Sequence, residues 1–572
     1  MKKSKTFKLI HLLTALAGCL GYATAAPYGP DGLATQWDQP GGATLKLAVF
    51  GDEYYAHTET ADGFTVVLDK SNLTYYYAKL SADGSSFVSS GVRADRRAPA
   101  GLAKHLEISL KKIREISAAN HAKLDGERAA RWAKRVGAVQ KLRAAAHNGL
   151  KLAPAQAAEA QILAAPVTGV IKGLTILAQF PDDKKTSVTD PVNFPTSASK
   201  IQRFCNEAGY NDNGNSGSVM DYYSDQSGGL LTYTQSVTKI ITLPHPRNYY
   251  NYQDYPVNKV IYDDAGTSGR MLINDALAVL QGQNFDFSNL TLGGDKRVLA
   301  TNVFFAGPDS GDWSHGLWPH QSSLSSNVNV GTVDNPIYIY NYEITNNANS
   351  APVIGTFCHE NGHLILDYPD LYSLDGEGVG EHCLMGSGNY LNGGRTPSPI
   401  NGYLKDLVGW EHVVSLASTD FTMATLPTTG NVCYRLSNPD ATTEFFIVEN
   451  RGEGDKWAQY SDDKGIAIWH VDESVDFGNI LGTPHYAVAL EQADGLFDLE
   501  NGRDRGDAQD LYDLVTPLFS AKTNPNSNWW DGSKSGVRVT ALSAPGKNVN
   551  VRFGAVPPDT IIVGSPNGGE VI

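Results

Sequence analysis

The sequence predicts a multidomain protein of the α/β (α+β) class, with β-rich regions on both sides of a mixed central region. The chain has 572 residues, too many for one hydrophobic core, which indicates three or four domains. Strand patterns dominate near both ends, whereas strand and helix patterns alternate between residues 168 and 425. Hydrophobic residues make up 41% of the chain and charged residues 19%, so most of it should fold rather than remain disordered.

Residues 1–25 have the pattern of a secretory signal peptide. Four lysines precede an apolar run over residues 9–20, and Ala-Thr-Ala at residues 23–25 fits a small-x-small cleavage site. The sequence therefore predicts a secreted, extracellular protein. A lipoprotein-type cleavage box at residues 16–19 is the alternative, and it would place a lipid anchor on Cys19. No other apolar run is long enough to form a transmembrane segment.

The next region combines a β-rich part with a basic helix. Residues 27–100 alternate as strands do, residues 103–146 have helical spacing without proline, and residues 150–167 have the Pro and Ala content of a linker. Residues 101–151 hold 12 Lys/Arg against 4 Asp/Glu, a net charge of about +8, although the whole chain carries −15. The remainder is therefore strongly acidic, which argues against nucleic acid as a partner.

The central domain, residues 168–425, is predicted to open with a buried strand at residues 170–180. Helices are expected over residues 271–280 and 354–366. Strands are expected over residues 298–305 and 336–340.

A second β-rich, sandwich-like domain is predicted over residues 426–556. Strand patterns such as residues 444–450 and 465–472 are separated there by turns rich in Gly, Asn and Asp. After Pro557, residues 557–572 have the pattern of the first strand of a further, truncated β-sandwich module.

The clearest chemical motif is His-Glu-Asn-Gly-His at residues 359–363. Residues four apart lie on one face of a helix, so His359 and His363 can bind one zinc ion through their ring nitrogens. Glu360, beside the first histidine, can accept a proton from a metal-bound water as that water attacks a carbonyl. A third ligand is needed, and Asp367 and Asp370 both follow closely.

Residues 359–372, HENGHLILDYPDLY, resemble the signature of the immune inhibitor A-like (M6) zinc metallopeptidases, which are related to the metzincins. The resemblance extends over nearly the whole chain. Further matching segments are residues 175–182, 217–223, 227–229, 317–320 and 383–388.

The resemblance implies a zincin/metzincin-like catalytic domain with a twisted sheet above the zinc helix and the methionine turn, Met385, beneath the metal. It also implies Asp370 as the third zinc ligand. Metzincins place that ligand ten residues after the first histidine, where this chain has Pro369, so the turn must hold one extra residue. Asp367 is the alternative ligand, and His320 is a more distant candidate.

The resemblance also implies an N-terminal propeptide that is removed on activation. Residues 51–55 and 62–65 resemble part of it, and we assign residues 26–167 to this α+β propeptide. A basic helix would bind an acidic catalytic body, so we expect the precursor to be inactive. The alternative is a solvated helix that serves only as a spacer.

Four cysteines follow the predicted signal peptide, which allows up to two disulfides in an exported protein: Cys205, Cys358, Cys383 and Cys433. Cys358 and Cys383 flank the zinc helix and the methionine turn, and a bridge between them would join the two.

Calcium is a second possible cofactor. Four aspartates lie in loops rich in Gly and Asn that suit oxygen ligation: Asp504, Asp507, Asp510 and Asp531.

The sequence thus predicts a zinc metalloendopeptidase that acts on protein or peptide substrates as a monomer and is made as a zymogen. The alternative is a non-catalytic surface adhesin or binding protein built on a peptidase scaffold. An intact Glu360 favours the enzyme, because a binding scaffold does not need a general base.

Overall fold

The protein is described here from a computed structural model. The structure describes residues 33–51, 54–69, 71–72, 74–149, 151–181, 194–250, 267–307, 317–347, 352–372, 376–438, 443–475, 485–556, 562–563 and 570–571. The predicted signal peptide and the alternative lipid site at Cys19 lie outside these residues. The described residues form several sheets and few helices, which confirms the predicted mixed α/β character and is compatible with several domains.

An antiparallel six-stranded sheet begins the described chain, with strands paired in sequence order. They are β1 (Leu33–Asp38), β2 (Thr44–Gly51), β3 (Ala56–Thr60), β4 (Thr65–Asp69), β5 (Thr74–Leu80) and β6 (Phe87–Arg93). Burial alternates along β2, so Leu45 and Leu47 enter a small core with Val66, Tyr75 and Tyr77.

A helix of 39 residues, α1 (Leu110–Asn148), follows the first sheet. The Ser109 side chain accepts a hydrogen bond from the Lys112 amide, and Gly149 ends the helix in the left-handed conformation at φ 61°. At 1.5 Å per residue, α1 is about 58 Å long. The segment predicted to be a linker contains a further helix, α2 (Pro154–Leu163). Proline suits the first turn of a helix, so its presence in residues 150–167 did not exclude one.

The central sheet has the order β10-β11-β9-β7-β8 and is parallel except for β10 at its edge. Its strands are β7 (Gly169–Gln179), β8 (Leu231–Thr242), β9 (Thr301–Ala306), β10 (His320–Asn329) and β11 (Tyr338–Asn347). The helices of this region are α3 (Ala198–Asn206), α4 (Val219–Gln226), α5 (Arg247–Tyr250), α6 (Thr267–Gly282), α7 (Ile354–Leu366) and α8 (Gly402–Leu407).

Helices cover both faces of this sheet. Leu177 of β7 packs in the core that contains α3, α4 and α7, whereas Ile176 packs in the core that contains α6. Burial on both faces explains why β7 reads as a continuous apolar run.

The C-terminal region is a pair of sheets around a shared core, with orders β12-β14-β15-β16-β17 and β13-β20-β19-β18. The strands are β12 (His412–Ala417), β13 (Thr422–Pro427), β14 (Val432–Ser437), β15 (Glu444–Asn450), β16 (Ile466–Asp472), β17 (Val488–Leu490), β18 (Leu518–Ser520), β19 (Arg538–Ala541) and β20 (Asn548–Phe553).

These two sheets begin at His412, before the boundary predicted after residue 425. Strands β12 and β13 pair with β14 and β20, so they belong to the C-terminal region. Two short strands beyond it, β21 (Ile562–Val563) and β22 (Glu570–Val571), pair with each other. The rest of residues 557–572 lies outside the described residues.

The four described cysteines are free, buried thiols, so the bridge expected between Cys358 and Cys383 is not formed. The two side chains have different surroundings. Cys358 has Cys205 as its ionisable neighbour, whereas the sulfur of Cys383 lies beside the backbone amides of Met385 and Asn401.

None of the helices in the described part of the chain combines the length and apolar character that a membrane crossing requires.

Candidate metal centre

Helix α7 carries the His-Glu-Asn-Gly-His motif, as predicted over residues 354–366. It is almost completely buried, and two glycines allow its close packing. A Cβ on Gly355 would lie 1.9 Å from the Asn389 carbonyl oxygen, and one on Gly362 would lie 2.8 Å from the Met385 sulfur. The helix ends at Asp367, which adopts a left-handed conformation (φ 56°) and turns the chain back towards the motif.

Three potential ligand atoms converge in the buried space beside α7. The Nε2 atoms of His359 and His363 are 3.1 Å apart, and each is 3.1 Å from Oδ1 of Asp370. Nitrogen ligands about 2.0–2.1 Å from a tetrahedral zinc ion would be separated by about 3.3 Å. The three side chains therefore fit one zinc ion.

The hydrogen bonds of the two histidines leave their Nε2 atoms available for a metal. Nδ1 of His359 donates to the Leu384 carbonyl at 2.9 Å, and Nδ1 of His363 donates to the Tyr368 carbonyl at 2.6 Å. Carbonyl acceptors of this kind fix the orientation and tautomer of a metal-binding imidazole.

The charges of His363 and Asp370 also suit a cation. Burial, assisted by the Arg128 guanidinium, lowers the pKa of His363 to about 4, so this imidazole is neutral at physiological pH. Burial would raise the pKa of Asp370, but the two histidines hold it well below its usual value and the carboxylate stays charged. Burial would lower the pKa of His359, yet the hydrogen bond with Asp370 raises it.

The structure brings Asp370, and not Asp367, to the two histidines. Asp370 is buried and completes the group of three possible ligands. Asp367 is partly exposed and pairs with Arg131, whose Nη2 lies 2.7 Å from its Oδ1.

Glu360 lies beside this group, as the motif predicts. It is buried, and burial raises its pKa to about 8. Glu360 and His363 line a gap of about 30 Å³ together with Trp318 and His320. A gap of this volume can hold a water molecule.

Leu384 and Met385, which we call the floor of the site, lie against α7: the Leu384 carbonyl accepts from Nδ1 of His359, and a Cβ on Gly362 would lie 2.8 Å from the Met385 sulfur. Met385 is fully buried against Gly362, and its carbonyl accepts a hydrogen bond from the Leu371 amide at 2.8 Å. This contact links the floor to the turn that carries Asp370.

His320, the more distant candidate ligand, does not join the group. Its Nδ1 donates to the Trp318 carbonyl at 2.8 Å, and burial lowers its pKa to about 4. It lies in the wall of the gap, opposite Glu360.

Sequence analysis did not indicate which N-terminal residues reach this centre. The Tyr54 hydroxyl donates to Asp125, and its oxygen also lies 3.3 Å from Oδ2 of Asp370. Arg128 pairs with Asp125 at 3.0 Å, donates to the Tyr368 carbonyl at 2.8 Å and contacts His363. These side chains close the gap above Glu360.

The predicted calcium ligands are only partly brought together. A group of three partly buried carboxylates consists of Asp494, Asp498 and Asp507, of which only Asp507 was predicted. Asp510 instead pairs with His382 at 2.9 Å, and Asp531 caps its own turn at Ser533. Calcium binding at this group stays a prediction.

Fold and site together define an α+β protein with a three-residue candidate zinc centre and an adjacent buried glutamate. Comparison of the chain with models of known protein families gave no match, and comparison with curated proteins gave none either.

Proposed function

We propose that the protein is a zinc-dependent endopeptidase, secreted as an inactive precursor. The observation that carries this proposal is the convergence of His359, His363 and Asp370 directly beside Glu360. Two imidazoles and one carboxylate are a ligand set that zinc enzymes use when a fourth position stays open for water or substrate.

The roles of the residues follow from their positions. His359, His363 and Asp370 would hold the zinc ion. When bound, zinc would supply Lewis acidity that polarises a substrate carbonyl and lowers the pKa of a water molecule to about 7. Glu360 would accept a proton from the attacking water and then pass it to the leaving amine.

The resemblance to immune inhibitor A-like peptidases supports a zincin-like arrangement of the catalytic domain. Two observations support it: α7 packs in the core on one face of the central sheet, and a Cβ on Gly362 would lie 2.8 Å from the Met385 sulfur.

The N-terminal region, residues 33–149, would act as the inhibitory part of the precursor. A gap of about 30 Å³ remains above Glu360, whereas ligand pockets usually measure about 300–1,000 Å³. A peptide can therefore bind only after Tyr54, Asp125 and Arg128 have moved.

Digestion of casein by the purified protein tests the proposal. After limited cleavage within residues 96–169 and removal of the N-terminal region, we expect hydrolysis that a chelator abolishes and added zinc restores. Absence of hydrolysis after removal of the N-terminal region, with zinc bound, would refute the enzyme. It would favour the alternative, a non-catalytic adhesin.

A further inference from the structure

Four arginines of α1 face the rest of the protein: Arg128, Arg131, Arg135 and Arg143. They are spaced by three, four and eight residues, so they lie along one face of the helix. We call residues 169–556 the body, and the acceptors for these arginines on it the arginine-binding surface.

The arginine-binding surface offers charged acceptors at well-separated points. Asp367 accepts from Nε and Nη2 of Arg131 at 2.9 and 2.7 Å. Further along α1, Arg143 lies between Asp406 at 2.5 Å and Glu473 at 2.8 Å. Truncating one partner of a buried charge pair is costly, because the other charge is left unpaired.

Backbone carbonyls complete the surface. Arg128 donates to the carbonyl of Tyr368 at 2.8 Å, and Arg135 donates to the carbonyl of Leu407 at 3.3 Å. A guanidinium carries several donors in a fixed plane, which suits such mixed acceptors better than an ammonium group does.

Apolar contacts lie between the arginines. Trp132 is 2% exposed and Val136 is 6% exposed, and both belong to the same core as α7. The Trp132 ring meets the Tyr368 ring edge-on at 5.7 Å. A desolvated aromatic anchor bordered by charged pairs is typical of tight protein interfaces.

The connection between α1 and the body supplies one acceptor near its end, the Ala165 carbonyl 2.9 Å from Nη1 of Arg135, whereas its beginning is exposed. Lys151 and Ala153 are exposed, and within α2 only Ala160 is buried. An exposed connection of this kind is a preferred site of proteolysis. A cut there would leave every arginine contact in place.

We propose that the N-terminal region remains bound after the chain is cut between α1 and β7, and acts as a separate protein inhibitor held by the arginine-binding surface. Cleavage alone then does not complete activation; the N-terminal region must also dissociate or be degraded. The inhibitory part of this inference rests on the proposed function, whereas the retained binding does not.

The test uses the full chain with a specific protease recognition sequence inserted after Lys151. After complete cutting, size-exclusion chromatography at micromolar concentration should show one species containing both fragments, and casein hydrolysis should stay low. Raising the salt concentration should promote separation, because it screens the partly exposed Arg131–Asp367 pair. Immediate separation of the wild-type fragments at low salt would overturn the proposal.

Matched variants test the assignment to arginine. Arg131→Ala combined with Arg143→Ala should weaken fragment association roughly 30-fold or more. Lys134→Ala combined with Lys141→Ala removes the same charge from exposed positions of α1 and should leave association within about twofold. Equal weakening by both pairs would refute the arginine-binding surface.

Single variants serve as controls for misfolding of the double variant. Arg131→Ala alone should weaken association several-fold more than Lys134→Ala, and thermal unfolding before the cut shows whether each chain is folded.

If the fragments associate as expected but the separated body hydrolyses nothing, the peptidase proposal fails while the arginine-binding surface stands. If the cut protein is fully active with both fragments bound, the inhibitory role fails.

Discussion

Two of the buried histidine–carboxylate clusters in the described part of the chain use the same groups in opposite ways. In the central region, His359, His363 and Asp370 converge on a common point. In the C-terminal region, His470 lies between Glu444 and Glu491, with each ring nitrogen 3.0 Å from a carboxylate oxygen.

The two clusters differ in the hydrogen bonds of their histidine ring nitrogens. Carbonyls accept from Nδ1 of His359 and His363, so each keeps an Nε2 lone pair for a metal. Both nitrogens of His470 donate to carboxylates. Burial would lower the pKa of His470, but these two carboxylates raise it and favour the imidazolium. The first cluster can therefore hold a cation, whereas the second already contains one.

A count of histidines and acidic residues would therefore not distinguish a metal centre from a structural ion cluster. The distinction requires knowing which atom of each ring is already bound. Four experiments test the difference between the two clusters.

The largest effect is expected for Glu360→Gln, measured after removal of the N-terminal region. Loss of the general base should lower kcat/KM by about 10²–10⁴-fold, while zinc content stays the same. A zinc-loaded variant that retains most of the wild-type activity would contradict the role of Glu360.

The second experiment is His470→Gln. Glutamine cannot carry the positive charge, so Glu444 and Glu491 would face each other without a cation. We expect the free energy of unfolding to fall by roughly 3 kcal/mol, measured by urea denaturation. Zinc content should not change. Loss of zinc from this variant, with the fold intact, would show that the two clusters are not separate in function.

The third experiment compares two aspartates of the turn after α7. Asp370→Ala should weaken zinc binding more than about 100-fold. Loss of a residue that only orients a metal ligand already weakens metal binding, and loss of the ligand itself should weaken it more. Asp367→Ala should change it less than about threefold. Competition with a chromophoric chelator measures both, and the reverse order would make Asp367 the ligand.

The smallest effect concerns the pH dependence of stability. The pKa of His470 is raised in the folded protein. Its contribution to the free energy of unfolding is therefore complete below the pKa of the unfolded state, about 6.5, and is lost as pH rises through the pKa of the folded state. The stability difference between wild type and His470→Gln should thus shrink from pH 6 to pH 9. Urea denaturation at constant zinc occupancy measures it, and a difference that grows with pH would contradict the imidazolium.

The sequence predicts the parts of the site that depend on local spacing. The helix over residues 354–366 and the shared face of His359 and His363 follow from a repeat of four residues. Asp370 required the family resemblance, because spacing alone left Asp367 open.

Contacts between distant segments could not be predicted in this way. Arg128 meets His363 across 235 residues of sequence, and no local pattern reports such a pairing. For the same reason, the positions of Cys358 and Cys383 beside α7 and Met385 in the sequence did not show the direction of their side chains. The spacing of the arginines in α1 indicates that they share one face of the helix. The positive charge of the segment alone did not show which surface they contact.

The central claim is that two imidazoles and Asp370 bind one zinc ion, and X-ray absorption spectroscopy with metal analysis tests it most directly. We expect one zinc per chain of purified wild-type protein, with two imidazole nitrogens and only nitrogen or oxygen ligands, at about 2.0–2.2 Å. The double variant His359→Ala with His363→Ala should contain none. Stoichiometric zinc in that double variant, or a zinc-free wild type after growth with excess zinc, would contradict the account.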